Sequence, residues 1–336
     1  MKTILSIYLL LTIGIVSAQS VYKVDNFAKE YYGKIYINDS SEVFSPGWVA
    51  IYDRKTNKEL IKVESEELAL SLHNGKALAN INELPYGEQS LIMYNDYNFD
   101  GINDFSIQDG QNSCYHGPSF QIFLGTKKGF QYSDAFTQLA QENCGMFYSD
   151  PKTKTIQTMT KSGCCWHQYV EYTVQNNKPF AIKIIEEAAT AQLPFFAISE
   201  QTWNGKKMVT KTKEVLYRDD LTPIVSFMIE DKDKEVLLFK IDEGLIYAVL
   251  QKDNQVEFSY PIRTVESDQN FEYSKTANTL SFQTKEAKYI IYQNSDRIGI
   301  DVIVKDKTHH WIGVPSSVTG SLKYIVDQKW ENVILK

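Results

Sequence analysis

Between Tyr94 and Gly110 the chain reads Tyr-Asn-Asp-Tyr-Asn-Phe-Asp-Gly-Ile-Asn-Asp-Phe-Ser-Ile-Gln-Asp-Gly. Counting from Asp96, oxygen-bearing side chains fall at positions 1, 3, 5 and 9: Asp96, Asn98, Asp100 and Asp104. Gly101 stands at position 6, where a calcium loop turns sharply, and Ile102 at position 7 can offer a backbone carbonyl. Carboxylates this close in sequence repel one another in a folded loop unless a cation lies between them. Ordinary Asp/Asn/Gly turns rarely combine the alternate-residue spacing with the glycine. The pattern D-x-N-x-D-G-x-x-D therefore predicts a calcium site.

One position departs from the full twelve-residue loop. The place of the bidentate Glu is taken by Ile107, which has no side-chain oxygen. Calcium takes six to eight oxygens, so the remaining ligands are expected from water, from Asp109 or from elsewhere in the fold. The residues after the loop, Asp104-Phe-Ser-Ile-Gln, alternate like a strand and do not continue as a helix. The expectation is a loop leading into a strand, with the ion bracing the backbone and not opening a helix pair.

The elements that must position this loop are read as mainly β. Tyr and Phe are abundant, at 21 and 17 residues, and Gly/Asn turns separate short alternating runs. Tyr31 to Ile37 forms a first strand after a lead-in, and Trp48-Val-Ala-Ile-Tyr pairs with Glu59-Leu-Ile-Lys-Val as a hairpin. Leu91 to Tyr94 enters the calcium loop, and Ser133 caps one short helix over 134–141. Asn204-Gly205 marks a hairpin between Phe195–Trp203 and Lys207–Thr212. Arg218-Asp219-Asp220 and Pro223 interrupt the pattern. The expected domains are a calcium- and disulfide-containing β domain over 19–225 and a small antiparallel β domain over 226–336, each sandwich- or barrel-like. A short helix is expected within 320–327.

Lys2, the apolar run from Ile4 to Val16 and the small residues Val16-Ser-Ala18 form a secretory signal over 1–18. A periplasmic or secreted protein follows, with no membrane span in the mature chain. The net charge of −7 argues against nucleic acid and anionic membranes as partners and suits a basic protein. In an exported chain the four cysteines, Cys114, Cys144, Cys164 and Cys165, are expected as two disulfides. A bond between the neighbours Cys164 and Cys165 closes a strained ring, so each is expected to reach to Cys114 or Cys144.

Two resemblances follow from these segments. The order of calcium loop, strand, Leu124-Gly125 turn and Gly129-Phe130 is similar to one FG-GAP repeat, present here once. The span from Leu91 to Pro179 resembles the family of the Xanthomonas type IV secretion immunity protein, through Asn95-Asp-Tyr-Asn-Phe-Asp-Gly-Ile-Asn-Asp-Phe, Asn112-Ser-Cys-Tyr-His-Gly-Pro-Ser and Thr160-Lys-Ser-Gly-Cys-Cys-Trp-His. That resemblance implies an exported, calcium-binding, β-rich protein that inhibits a lysozyme-like peptidoglycan hydrolase. It also implies that Ser162 and Gly163, with Tyr169 nearby, enter the hydrolase cleft. The match covers about a quarter of the chain, and the lipid-attachment cysteine of some members is missing.

Other functional classes have weaker support. A calcium-stabilised surface or adhesion module is the alternative to an inhibitor. Cys164-Cys165-Trp-His167 could supply a thiol and a histidine, but an even cysteine count in an exported chain favours disulfides. His309 and His310 are adjacent, not four apart, and are expected at a solvent-facing strand end. No G-x-S-x-G or H-E-x-x-H occurs, so no catalytic residue is assigned.

Overall fold

Alternating apolar residues pair into antiparallel strands along nearly the whole chain. The computed structural model describes residues 20–83, 87–190, 194–219, 221–261 and 270–336. The expected signal over 1–18, and Asp220 of the expected break, lie outside the described residues. Two compact units are present: the described residues up to 161 with 169–183, and 162–168 with those from 184 to 336.

The first unit begins with β1 (Ser20–Val24), β2 (Tyr31–Ile37), β3 (Ser45–Asp53) and β4 (Glu59–Leu68), an antiparallel sheet in sequence order. The segment read as a lead-in thus contains β1, which pairs antiparallel with β2. β5 (Ile92–Asn95), β6 (Asp104–Ser113), β7 (Gly117–Thr126) and β8 (Gly129–Tyr132) make a second antiparallel sheet, followed by α1 (Asp134–Glu142). β9 (Tyr148–Asp150), β10 (Thr155–Ser162), β11 (Trp166–Gln175) and β12 (Lys178–Ala189) come next. Strands β10, β11 and β12 each run through a point where the chain passes from one unit to the other.

Strand β6 is buried on both faces. Phe105 and Ile107 pack with Ile35, Val49, Ile51 and Val63 of the first sheet. On the opposite side Phe120, Ile122 and Met93 pack with Phe136 and Ala140 of α1 and with Met146, Phe147 and Ile156. Polar residues of β6 are therefore bonded internally: Ser106 Oγ donates to Met146 Sδ (3.1 Å), and Gln108 Oε1 accepts from the Ala69 N–H (3.1 Å).

The second unit contains β13 (Phe195–Trp203), β14 (Met208–Leu216), β15 (Thr222–Met228), β16 (Glu235–Ile241), β17 (Gly244–Leu250) and β18 (Val256–Tyr260). It continues with β19 (Phe271–Ser274), β20 (Thr279–Gln283), β21 (Lys288–Gln293), β22 (Ile298–Val304), β23 (Lys307–Ile312), β24 (Thr319–Gly320) and β25 (Val333–Leu335). β18-β17-β16-β15-β24 and β23-β22-β21-β20-β19-β25 form two sheets, antiparallel apart from the parallel β19–β25 pair. Their inner faces share Phe227, Leu238, Tyr247, Phe271, Phe282, Ile291 and Ile300. The outer face of β16 and β17 packs Leu237, Phe239 and Ile246 with Phe195 and Leu216 of β13 and β14. The boundary expected near 225 lies within β15. In place of the helix expected over 320–327 there is a 3-10 turn at Leu322–Ile325.

The cysteine pairing differs from the expectation. Cys114 is bonded to Cys144, with Cα atoms 4.9 Å apart, and Cys164 to its neighbour Cys165. Cys114 follows β6 and Cys144 follows α1, elements of one packed layer, and that packing sets the two side by side. Cys164 and Cys165 stand at the turn joining β10 to β11 and are bonded to each other. The Cys114–Cys144 bond spans a sequence separation of 30 and the other a separation of 1. Replacing Cys114 and Cys144 by Ser should lower unfolding free energy by about 2–4 kcal/mol. The Cys164–Cys165 bond closes no chain loop, so replacing both residues should cost under about 0.5 kcal/mol. Urea midpoints of the two double variants check this; equal midpoints would contradict it.

Candidate calcium loop and binding hairpin

β5 ends at Asn95 and β6 begins at Asp104, so the acidic segment is a strand-to-strand loop. Phe99 (φ +60°) and Gly101 (φ +89°) take left-handed conformations that let the chain turn back over itself. A Cβ at Gly101 would meet open space, so the backbone angle alone calls for glycine there. Asp96 accepts from the Asp100 N–H (3.1 Å) and the Gly101 N–H (2.8 Å). Asn98 Oδ1 accepts from the same Asp100 N–H (3.2 Å), and its Nδ2 donates to Asp100 Oδ2 (3.0 Å). Asp100 Oδ1 accepts from the Ile102 N–H (2.8 Å). The side chains of Asp96, Asn98 and Asp100 thus converge on one turn.

Asp104 is fully buried and faces the backbone. Its oxygens accept from the N–H groups of Tyr97 and Gly125, each at 2.7 Å. Burial pushes its carboxyl up to about 7 against the pull of these donors, and the Asp96 charge adds to the rise. Gly125 was not singled out as a site residue, although it ends the Leu-Gly turn of the repeat-like pattern. A Cβ at Gly125 would collide with the Asn103 carbonyl oxygen and with Ile102, so only glycine lets β7 approach the end of the loop.

Not all of the expected ligands come together. Asp109 stands five residues beyond Asp104 on β6, roughly 17 Å along an extended strand. Its carboxylate accepts from Ser119 Oγ (2.6 Å) and Gln141 Nε2 (2.7 Å). Among the described residues no three His, Cys, Asp or Glu side chains are gathered as a metal group. The donors that do converge are all oxygen, two carboxylates and an amide, with the Ile102 carbonyl in the same turn. That chemistry fits a hard cation such as calcium.

The other expected site lies at the β10–β11 turn. Ser162, Gly163 and Cys164 are exposed, Gly163 is left-handed (φ +63°), and Tyr169 is 42% exposed on β11. The base of β10 is tied down: the Cys144 N–H donates to the Met159 carbonyl (2.8 Å), and Thr160 Oγ1 donates to Asn143 Oδ1 (2.7 Å). Lys161 Nζ lies 5.1 Å from the ring of Tyr115, beside Cys114 in sequence. The Cys114–Cys144 bond therefore anchors the strand that carries Ser162. Cys164 and Cys165 are bonded to each other, so neither is a thiol that His167 could activate. In the second unit His309 and His310 are exposed on β23, His310 paired with Asp301 (2.7 Å).

No protein-family model and no curated protein sequence matches the chain. Among solved structures it is similar to a Xanthomonas type IV secretion system related protein, 16% identical, over 56% of this chain and 92% of the other, with a TM-score of 0.44. It is also similar to a prolyl endopeptidase, 8% identical, over 87% of this chain and 41% of the other, with a TM-score of 0.25. No function follows from likeness at that level. The two disulfides are compatible with an oxidising, extracytoplasmic compartment. Among the described residues no helix is long and apolar enough to cross a membrane.

Changing Asp104 to Asn replaces one acceptor oxygen by a donor and leaves one buried backbone N–H unanswered. At pH 8, where the carboxyl is ionised, the variant should lose about 1–3 kcal/mol in chelator-treated protein. Urea unfolding measures this, and an unchanged midpoint would contradict the role given to Asp104.

Proposed function

We propose that the chain is an exported, calcium-braced protein that binds and inhibits a lysozyme-like peptidoglycan hydrolase. The observation that carries this reading is the hairpin tip, an exposed Ser162-Gly163 pair followed by a bonded Cys164-Cys165. Its strand is anchored through Asn143 and Cys144 to a second disulfide. A short loop held in one conformation loses little entropy on entering a cleft, so its contacts go into affinity. The same segment, Thr160 to His167, carries the sequence resemblance to the immunity-protein family.

Calcium would be held by Asp96, Asn98, Asp100 and the Ile102 carbonyl, with Asp104 behind them. Its part is structural, joining β5, β6 and β7 at the end of one sheet. The net charge of −7 favours encounter with a basic hydrolase, an effect on association rate that salt weakens.

Purified protein should slow lysis of cell walls by a lysozyme-like hydrolase, and chelation of calcium should reduce the effect. Ser162→Tyr places a bulky side chain at the exposed tip and should weaken inhibition tenfold or more, about 1.4 kcal/mol, with the melting point unchanged. Absence of inhibition across several hydrolases, one encoded beside this protein included, would overturn the proposal.

A further inference from the structure

The first unit carries a second polar concavity, separate from the acidic loop and the hairpin tip. A groove of about 700 Å³ is lined by Tyr36, Trp48, Glu66, Glu67, Asp109 and Gln111, among others. Its size is that of a small-molecule site. Tyr36 and Trp48 are cross-strand partners on β2 and β3, with rings stacked at 5.8 Å and 16°.

The polar lining comes from places where the strand pairing slips. On the β3–β4 ladder Ser45 pairs with Leu68 but Gly47 with Ser65, which leaves an extra residue in β4 at Glu66 and Glu67. On the β6–β7 ladder Gln108, Gly110 and Ser113 pair with Phe120, Ser119 and Gly117. β6 therefore has one extra residue at Asp109 and another at Gln111 or Asn112. A bulge re-aims the side chains it carries and is common beside binding sites. All three of these bulges supply lining residues of the same groove.

The lining is also held in advance. Ser119 Oγ donates to Asp109 (2.6 Å) and accepts from the N–H and Nδ2 of Asn112 (3.2 and 3.3 Å), while Gln141 holds the other Asp109 oxygen. Gln111 is 5% exposed, and its Nε2 has no hydrogen-bond partner among the described residues. A buried amide donor without an acceptor is a cost that native folds seldom leave standing. Gln111 lines the groove, and a ligand oxygen that reached its amide would remove that cost.

We infer that this groove binds a neutral oligosaccharide. Sugar rings present apolar C–H faces, which suit the Tyr36–Trp48 pair, and hydroxyls that both donate and accept. Carboxylates at Glu66, Glu67 and Asp109 accept hydrogen bonds from hydroxyls, and the amides of Gln111 and Asn112 donate to sugar oxygens. The carboxylates disfavour an anionic sugar, and a cationic peptide would leave the amide donors unanswered. The site is independent of the hairpin tip and of the calcium loop.

Calorimetric titration of the purified protein with tetra-N-acetylchitotetraose, maltotetraose and cellotetraose, all neutral, tests this. At least one should bind saturably with a dissociation constant below about 1 mM. Gln111→Met, which removes the orphan donor at nearly constant volume, should keep or raise the urea midpoint while lowering affinity at least fivefold. Glu66→Ala, on the exposed bulge, should weaken binding with the fold intact. Three results would overturn the assignment: no binding of any of the three, unchanged affinity in both variants, or binding of a hexa-arginine peptide without any saccharide.

Discussion

A buried carboxylate fixes the centre of the first unit. Asp104 is sealed from water and accepts from two backbone donors, Tyr97 in the acidic loop and Gly125 at the end of β7. Those bonds join the loop between β5 and β6 to the neighbouring strand, and the close approach at Gly125 leaves no room for a side chain. Burial alone would favour the protonated acid, as the rise to about 7 records. Calcium among Asp96, Asn98 and Asp100 would oppose that rise by favouring the ionised form. The loop's acidity and the burial of its last carboxylate are two sides of one design.

From that point the layers follow. β6 lies between the first sheet and α1, so Phe105 and Ile107 serve one core while Ser106 faces Met146 on the other side. The end of α1 brings Cys144 to Cys114, and the residues around Cys144 hold the base of β10. The acidic loop and the base of the hairpin are thus tied to the same packed layer.

Much of this was legible in the residues. The alternating oxygens around Gly101 located a strand-to-strand loop, the Asn204-Gly205 pair located the β13–β14 turn, and Ser133 located the start of α1. The cysteine pairing was not legible, because ring strain was weighed without knowing that α1 folds Cys144 back onto the end of β6. Asp109 was grouped with the loop by sequence proximity, whereas an extended strand carries it away from Asp104 to Ser119 and Gln141. The groove by Trp48 left no sequence signal either. It depends on register slips in two ladders, and no single-strand pattern specifies which residue goes unpaired.

The central claim is that the acidic loop is a calcium brace. Thermal unfolding with saturating calcium and with chelator tests it most directly, in the unaltered chain and in Asp100→Ala. At about a hundred times the dissociation constant, one bound ion adds roughly 2.7 kcal/mol, a rise in melting temperature of about 5–10 °C. The account predicts that rise in the unaltered chain and its loss in Asp100→Ala. Equal melting temperatures in calcium and in chelator would contradict it.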